Sequence, residues 1–166
     1  NVARSAPTTY QAAAGYLVAA GGLAGLVLRL ASGVWADRRE FDPLVGGSAL
    51  CALGAVGWFL MASEMAGLFV IGLIVANAFG WGWPGLQHLA VARRFPTSTA
   101  AASGVAQTGV AIGLLVGPLS LGMIANRDWS VMWFVAGCSA LLGAGIVRIA
   151  AVRIPRSRSS VGPDGA

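Results

Sequence analysis

The sequence predicts an all-α, polytopic membrane bundle of five transmembrane helices, and two observations carry that prediction. The first is composition: 57% of the 166 residues are hydrophobic and 10% are charged, against about 45–50% and about 25% in soluble domains. Mean hydropathy is +0.75. Small soluble domains bury a smaller share of their surface than large ones, so a chain of this length could not hide that much apolar area from water. The second is patterning. The apolar residues fall into five runs, each near the roughly 20 residues that a helix needs to cross the hydrocarbon core.

The first run, residues 11–35, is rich in glycine, and Gly22, Gly25, Arg29 and Gly33 share one helical face. The second spans 44–62 and the third 67–88; the third contains Asn77, Trp81, Pro84 and His88 at helical spacing, which places them on a single face. The fourth, 100–124, repeats glycine at 109, 113 and 117, a smooth face against which another helix can pack. The fifth covers 131–152. The connectors 37–43, 63–66, 93–99 and 126–130 hold the breakers and charges. These spans form one unit over residues 1–152, and residues 153–166, rich in Pro, Ser, Gly and Arg, read as a disordered basic tail.

Arginine sets the direction. With alternating spans, Arg38, Arg39, Arg93, Arg94, Arg153, Arg156 and Arg158 fall on one side, and only Arg4 and Arg127 on the other. The positive-inside rule makes the first side cytoplasmic, with the C-terminus inside. Arg148 can snorkel to the same face. Trp35 at the inner end and Trp129 and Trp133 at the outer end suit interfacial belts. The net charge of +5 is orientation charge; nucleic-acid binding needs a continuous basic surface, which this pattern lacks. Cys51 and Cys138 lie inside apolar runs and read as small buried hydrophobes, with no metal-ligand spacing. The absence of a starting Met suggests a piece of a longer protein.

Two motifs go beyond packing. Gly33-x3-Asp37-Arg38 resembles the loop motif of the major facilitator superfamily, G-x3-D-R/K-x-G-x-R/K-R/K. Gly104-x8-Gly113-x3-Gly117-Pro118-x2-Leu121-Gly122 resembles its antiporter motif, G-x8-G-x3-G-P-x2-G-G, with Leu121 the one departure. Together they cover nearly the whole chain. The resemblance implies a truncated 12-helix fold in the cytoplasmic (inner) membrane. It also implies alternating access, with Asp37 latching the opposite half when the cytoplasmic side closes. In the first motif Glu40 replaces a glycine and Asp42-Pro43 replace a basic pair. That degeneracy, and the likeness of Gly80-Trp81-Gly82-Trp83-Pro84-Gly85-Leu86 to a tenth span, favour spans eight to twelve, the missing N-terminal half being a partner. Spans two to six are the alternative.

The same resemblance puts the first, third and fourth spans along a substrate cavity. Its candidates are Arg29, Asn77, Trp81, His88, Gln107 and Thr108. Each has a plainer reading: Arg29 can snorkel, Asn77 can join helices, and His88 sits near the solvated end. Gating falls to Gly33, Asp37, Arg38, Gly104, Gly113, Gly117, Pro118 and Gly122, where Pro118 frees a carbonyl and the glycines admit a neighbour. All six carboxylates, Asp37, Glu40, Asp42, Glu64, Asp128 and Asp164, map to loops or tail, so a proton-coupling acid is expected elsewhere in the protein. One histidine and no intramembrane acid make an enzyme an unsuitable reading, and no cofactor or metal pattern is present. Two functions remain: a secondary transporter of a small solute with antiport or efflux character, or a non-transporting five-helix accessory or assembly subunit.

Overall fold

The computed structural model describes residues 2–38 and 41–153, with the side chains of 2–14 and of Asp37 outside the described set. Among the described residues it contains six α-helices and no strand: α1 Val2–Arg38, α2 Pro43–Met61, α3 Ala66–Gly80, α4 Pro84–Arg94, α5 Thr99–Ala125 and α6 Trp129–Arg153. Five stretches are long and apolar enough to cross a bilayer: Gly15–Ala36, Pro43–Met61, Ala66–Arg94, Thr99–Ala125 and Trp129–Arg153. At about 1.5 Å per residue, even the shortest of these reaches about 28 Å, close to the hydrocarbon thickness.

The central element is α2, which packs most extensively on α3 and α6 and also touches α4. Glycine explains the closeness of the α2–α3 contact. A Cβ on Gly54 would lie 2.9 Å from the Gly80 nitrogen, one on Gly72 would lie 2.6 Å from the Gly57 carbonyl oxygen, and one on Gly57 would collide with the Ala76 backbone. Backbone atoms cannot swing away, so only glycine fits. Gly137 does the same for α6, leaving room for the Phe59 ring. Rings fill the adjoining end of the bundle: Trp58 stacks on Trp133 at 5.5 Å and Phe59 meets Phe134 at 5.4 Å.

On α1 the packed stripe is Gly21, Gly25, Ser32 and Ala36, all buried, with Leu28 half-buried between them. Their spacing of three or four keeps them on one face. This corrects the expected face of Gly22, Gly25, Arg29 and Gly33: Gly25 packs, whereas nothing lies within 4 Å of a Cβ at Gly22 or Gly33. The turn of the helix follows from Asn77, whose Cβ and carbonyl press on Gly21 and Gly25.

The ends are capped by side chains. Asp42 Oδ1 accepts from the Leu44 amide at 3.0 Å, with Pro43 in the first helical turn, where its missing N–H costs nothing. Asp128 Oδ1 accepts from the amides of Ser130 (2.7 Å) and Val131 (3.1 Å) at the start of α6. Ser130 Oγ donates to the Ala62 carbonyl, joining the start of α6 to the end of α2.

The third crossing departs from expectation. It is broken rather than bent: α3 stops at Gly80, Trp81 caps it, and α4 begins at Pro84. Pro84 cannot donate to the Gly80 carbonyl, and the two glycines flanking Trp81 weaken the helix further. The Trp81 amide still reaches the Asn77 carbonyl (3.2 Å) and the Gly82 amide reaches that of Phe79 (3.3 Å). The predicted single face of Asn77, Trp81, Pro84 and His88 is therefore split between two helices. The glycine face of α5 differs too, because nothing lies within 4 Å of a Cβ at Gly104, Gly109, Gly113, Gly117 or Gly122. No described residue packs on it. The helix also runs unbroken through Pro118. Arg153, expected to open the basic tail, ends α6; residues 154–166 and the Asp37 side chain lie outside the described residues.

Candidate functional site

α4 contacts both α1 and α5, and among the described residues α1 and α5 form no packed interface with each other.

Polar side chains collect here. On the α5 side, Gln107 Nε2 stands 3.2 Å from His88 Nε2. With this amide orientation Gln107 donates to His88 Nε2 when the imidazole proton sits on Nδ1. On the α1 side, the Arg29 side chain runs beside Gly85, its Cγ 3.9 Å from where a Gly85 Cβ would be. Gly85 lies in the first turn of α4, where backbone amides point outward and the helix dipole is positive. Arg29 is exposed; Ser32 Oγ donates to its carbonyl at 3.0 Å, and no described residue hydrogen-bonds or ion-pairs with its guanidinium. Trp81, at the helix break, is 59% exposed.

The other candidates settle differently. Asn77 is half-buried beneath Gly21 and Gly25, and its Nδ2 donates to the Leu73 carbonyl of its own helix at 2.9 Å. It stitches α1 to α3, away from His88. Thr108 Oγ1 donates to the Gly104 carbonyl at 2.9 Å, a back-bond within α5. The structure thus brings Arg29 and Gln107 to neighbouring turns of α4, at Gly85 and His88, and leaves Asn77 in a helix contact. Arg38 is exposed at the end of α1, and Gly33 meets open space.

The pairing of helix ends at the basic side was not foreseen. Arg94 Nη2 contacts Asp42 Oδ2 at 2.6 Å, with side chains 2% and 15% exposed. Arg93 Nη2 donates to the Ala36 carbonyl at 3.3 Å. The two arginines thereby tie the end of α4 to the start of α2 and the end of α1. An Asp-Pro pair before an apolar run is a helix-start signal visible in sequence; its arginine partner, 52 positions on, has no local signature. Among the described residues no group of three metal-ligating side chains occurs.

The model of the Major Facilitator Superfamily matches residues 6–165, nearly the whole chain. The chain belongs to that superfamily. No curated protein and no solved structure matched it. Membership of the superfamily, with five long apolar helices, makes this a multi-pass membrane protein of the transporter kind.

Proposed function

We propose that this chain is the five-helix part of the C-terminal half, spans eight to twelve, of a secondary transporter that moves a small solute by alternating access. The surface of α4 between α1 and α5 forms one wall of the substrate path. The observation that carries the reading is that Arg29 and Gln107, from two other crossings, meet neighbouring turns of α4 at Gly85 and His88. Polar and charged groups inside a membrane are costly and belong where protein or water meets them. Discontinuous helices at the repeat interface are a recurrent feature of such sites, and the α3–α4 break supplies one here. Arg29 beside the positive end of α4 makes the wall electropositive, which suits a solute with an anionic or strongly accepting group.

The glycine face of α5, open along its length, suits the opposite half as its packing partner. With the antiporter-like sequence on the same helix, this reading favours exchange. The basic end is taken as cytoplasmic, in the inner membrane, by the positive-inside rule.

Water access tests the proposal. Single cysteines placed at positions 29 and 107 of the full-length, otherwise cysteine-free protein should react with a membrane-impermeant maleimide. Cysteines at Leu142 and Ile149, exposed apolar positions on α6, should not. Unreactive cysteines at both positions would mean a dry bundle, and the accessory-subunit reading would replace this one. Arg29→Gln should then lower solute uptake with normal insertion; unchanged uptake would remove Arg29 from the path.

A further inference from the structure

A concavity lies between α2, α4 and α6. Its volume is about 230 Å³, and it is walled by Gly47 and Cys51 of α2, Val91 of α4 and Val147 of α6. Gln87 and Arg94 are its polar lining residues. Successive α4 residues turn by about 100°, so Gln87 and Arg94 lie roughly opposite Gly85 on the helix, while Val91, one turn on from His88, borders both sides. From Pro43 at the mouth to Cys51 the wall climbs eight residues, about 12 Å.

Three features decide what fits. The volume is below the roughly 300–1,000 Å³ typical of drug-sized ligand pockets, which leaves room for a small apolar group such as a stretch of acyl chain. The lining is almost wholly apolar, and water does not occupy such space favourably. Left unfilled, the walls would lose dispersion contacts. Gly47 is buried, yet a Cβ there would meet nothing within 4 Å. At the other tight glycines of α2 a Cβ collides with neighbouring atoms; at Gly47 the space next to the backbone is the crevice itself.

Charge names the other end of the ligand. The crevice reaches the basic end of the bundle at Arg94. Asp42 compensates Arg94, so attraction for a further anion comes from its neighbours. Arg93 precedes it on the same helix, with its guanidinium on the Ala36 carbonyl, and Arg148 and Arg153 are exposed on α6 next to and beyond Val147. Basic pockets between transmembrane helices at a membrane face are suited to anionic headgroups. We infer that the crevice between α2, α4 and α6 holds an acyl chain of an anionic phospholipid, with its phosphate among the arginines of the basic face. This site is separate from the solute path and depends only on the chain's residence in a membrane.

Native mass spectrometry of the full-length protein in detergent, titrated with phosphatidylglycerol or phosphatidylcholine, tests it. The expected result is one tightly retained phosphatidylglycerol per chain, with phosphatidylcholine about ten-fold weaker, a factor of about 1.4 kcal/mol. Gly47→Leu should fill the crevice and abolish that retention. Gly143→Leu, at an exposed α6 position where a Cβ also meets nothing, should leave it intact. Arg153→Gln should narrow the preference between the two lipids. Equal retention by the Gly47 and Gly143 variants would overturn the crevice as the site, and equal affinity for both lipids would overturn the anionic headgroup. If truncation after Arg153 opens the crevice to lipid, the chain's own tail is the occupant and the proposal fails. Should Gly47→Leu not fold, Val91→Trp blocks the same space. The lipid preference of the unmodified protein is a test independent of both.

Discussion

Asp42 serves two positions at once, with Oδ1 capping α2 through the Leu44 amide and Oδ2 pairing with Arg94. Removing it strips a cap worth about 1 kcal/mol and breaks a buried ion pair from one side, which typically costs about 3–5 kcal/mol. Asp128 provides the comparison, because it caps α6 in the same way but is exposed, without a counter-ion among the described residues. Asp42→Ala is therefore expected to lower the unfolding midpoint in detergent several times more than Asp128→Ala. Equal shifts would show that the Arg94 pair contributes little. Asp37 belongs to the same basic end, and its charge reversal is expected to impair transport while sparing insertion. Normal uptake by Asp37→Arg would remove it from the transport cycle.

Among the elements, glycine has two distinct roles, and substitution separates them. Gly57 sits where α2 and α3 meet backbone to backbone. Even Gly57→Ala must push the helices apart, at the roughly 1–3 kcal/mol typical of overpacking, and thermal melts should show it. Among the described residues nothing lies within 4 Å of a Cβ at Gly113 or Gly117. Leucine at either is expected to leave these five spans folded, yet to block uptake in the full-length protein by obstructing the opposite half. Normal uptake at normal expression would remove the glycine face from the transport cycle. The α3–α4 break is a third kind of element. Pro84→Ala restores a donor to the Gly80 carbonyl and should let the crossing straighten, which is measurable as a changed distance between spin labels at Ala66 and Arg93.

At the scale of the whole molecule, the bundle is asymmetric. α2 is wrapped by α3, α4 and α6, while α5 has no buried residue and exposes Val105, Leu115, Leu119 and Met123. In lipid such exposure carries no penalty, and on one side it suits a further set of helices. The native membrane protein is accordingly expected to be much larger than 16.8 kDa, as detected with an antibody to residues 153–166. A band at that mass would mean that five helices stand alone and need a separate partner to form a solute path. Reaction of a cysteine in that tail with an impermeant reagent added to intact cells would reverse the proposed orientation.

Composition and apolar run length alone were enough to determine a membrane bundle of five crossings, because lipid imposes a minimum span and penalises charge within it. The superfamily was legible as well, through Gly33-x3-Asp37 and the Gly104–Gly122 spacing, since those patterns are local. Only the tertiary structure decided which face of each helix turns inward. Gly21 and Gly22 are adjacent glycines, and the sequence holds nothing to distinguish them; the position of Asn77 on another helix does. The same holds for Asn77, which reads as a cavity residue along its own helix and as a joint once α1 lies across it. Gly-Trp-Gly-Trp-Pro-Gly announced a weak point in the third crossing, but bending and breaking differ only in whether neighbours support the freed backbone. Arg94 and Asp42, and Gln107 and His88, meet across separate helices. Contacts of that kind depend on helix rotation and tilt, which packing sets and no single segment encodes.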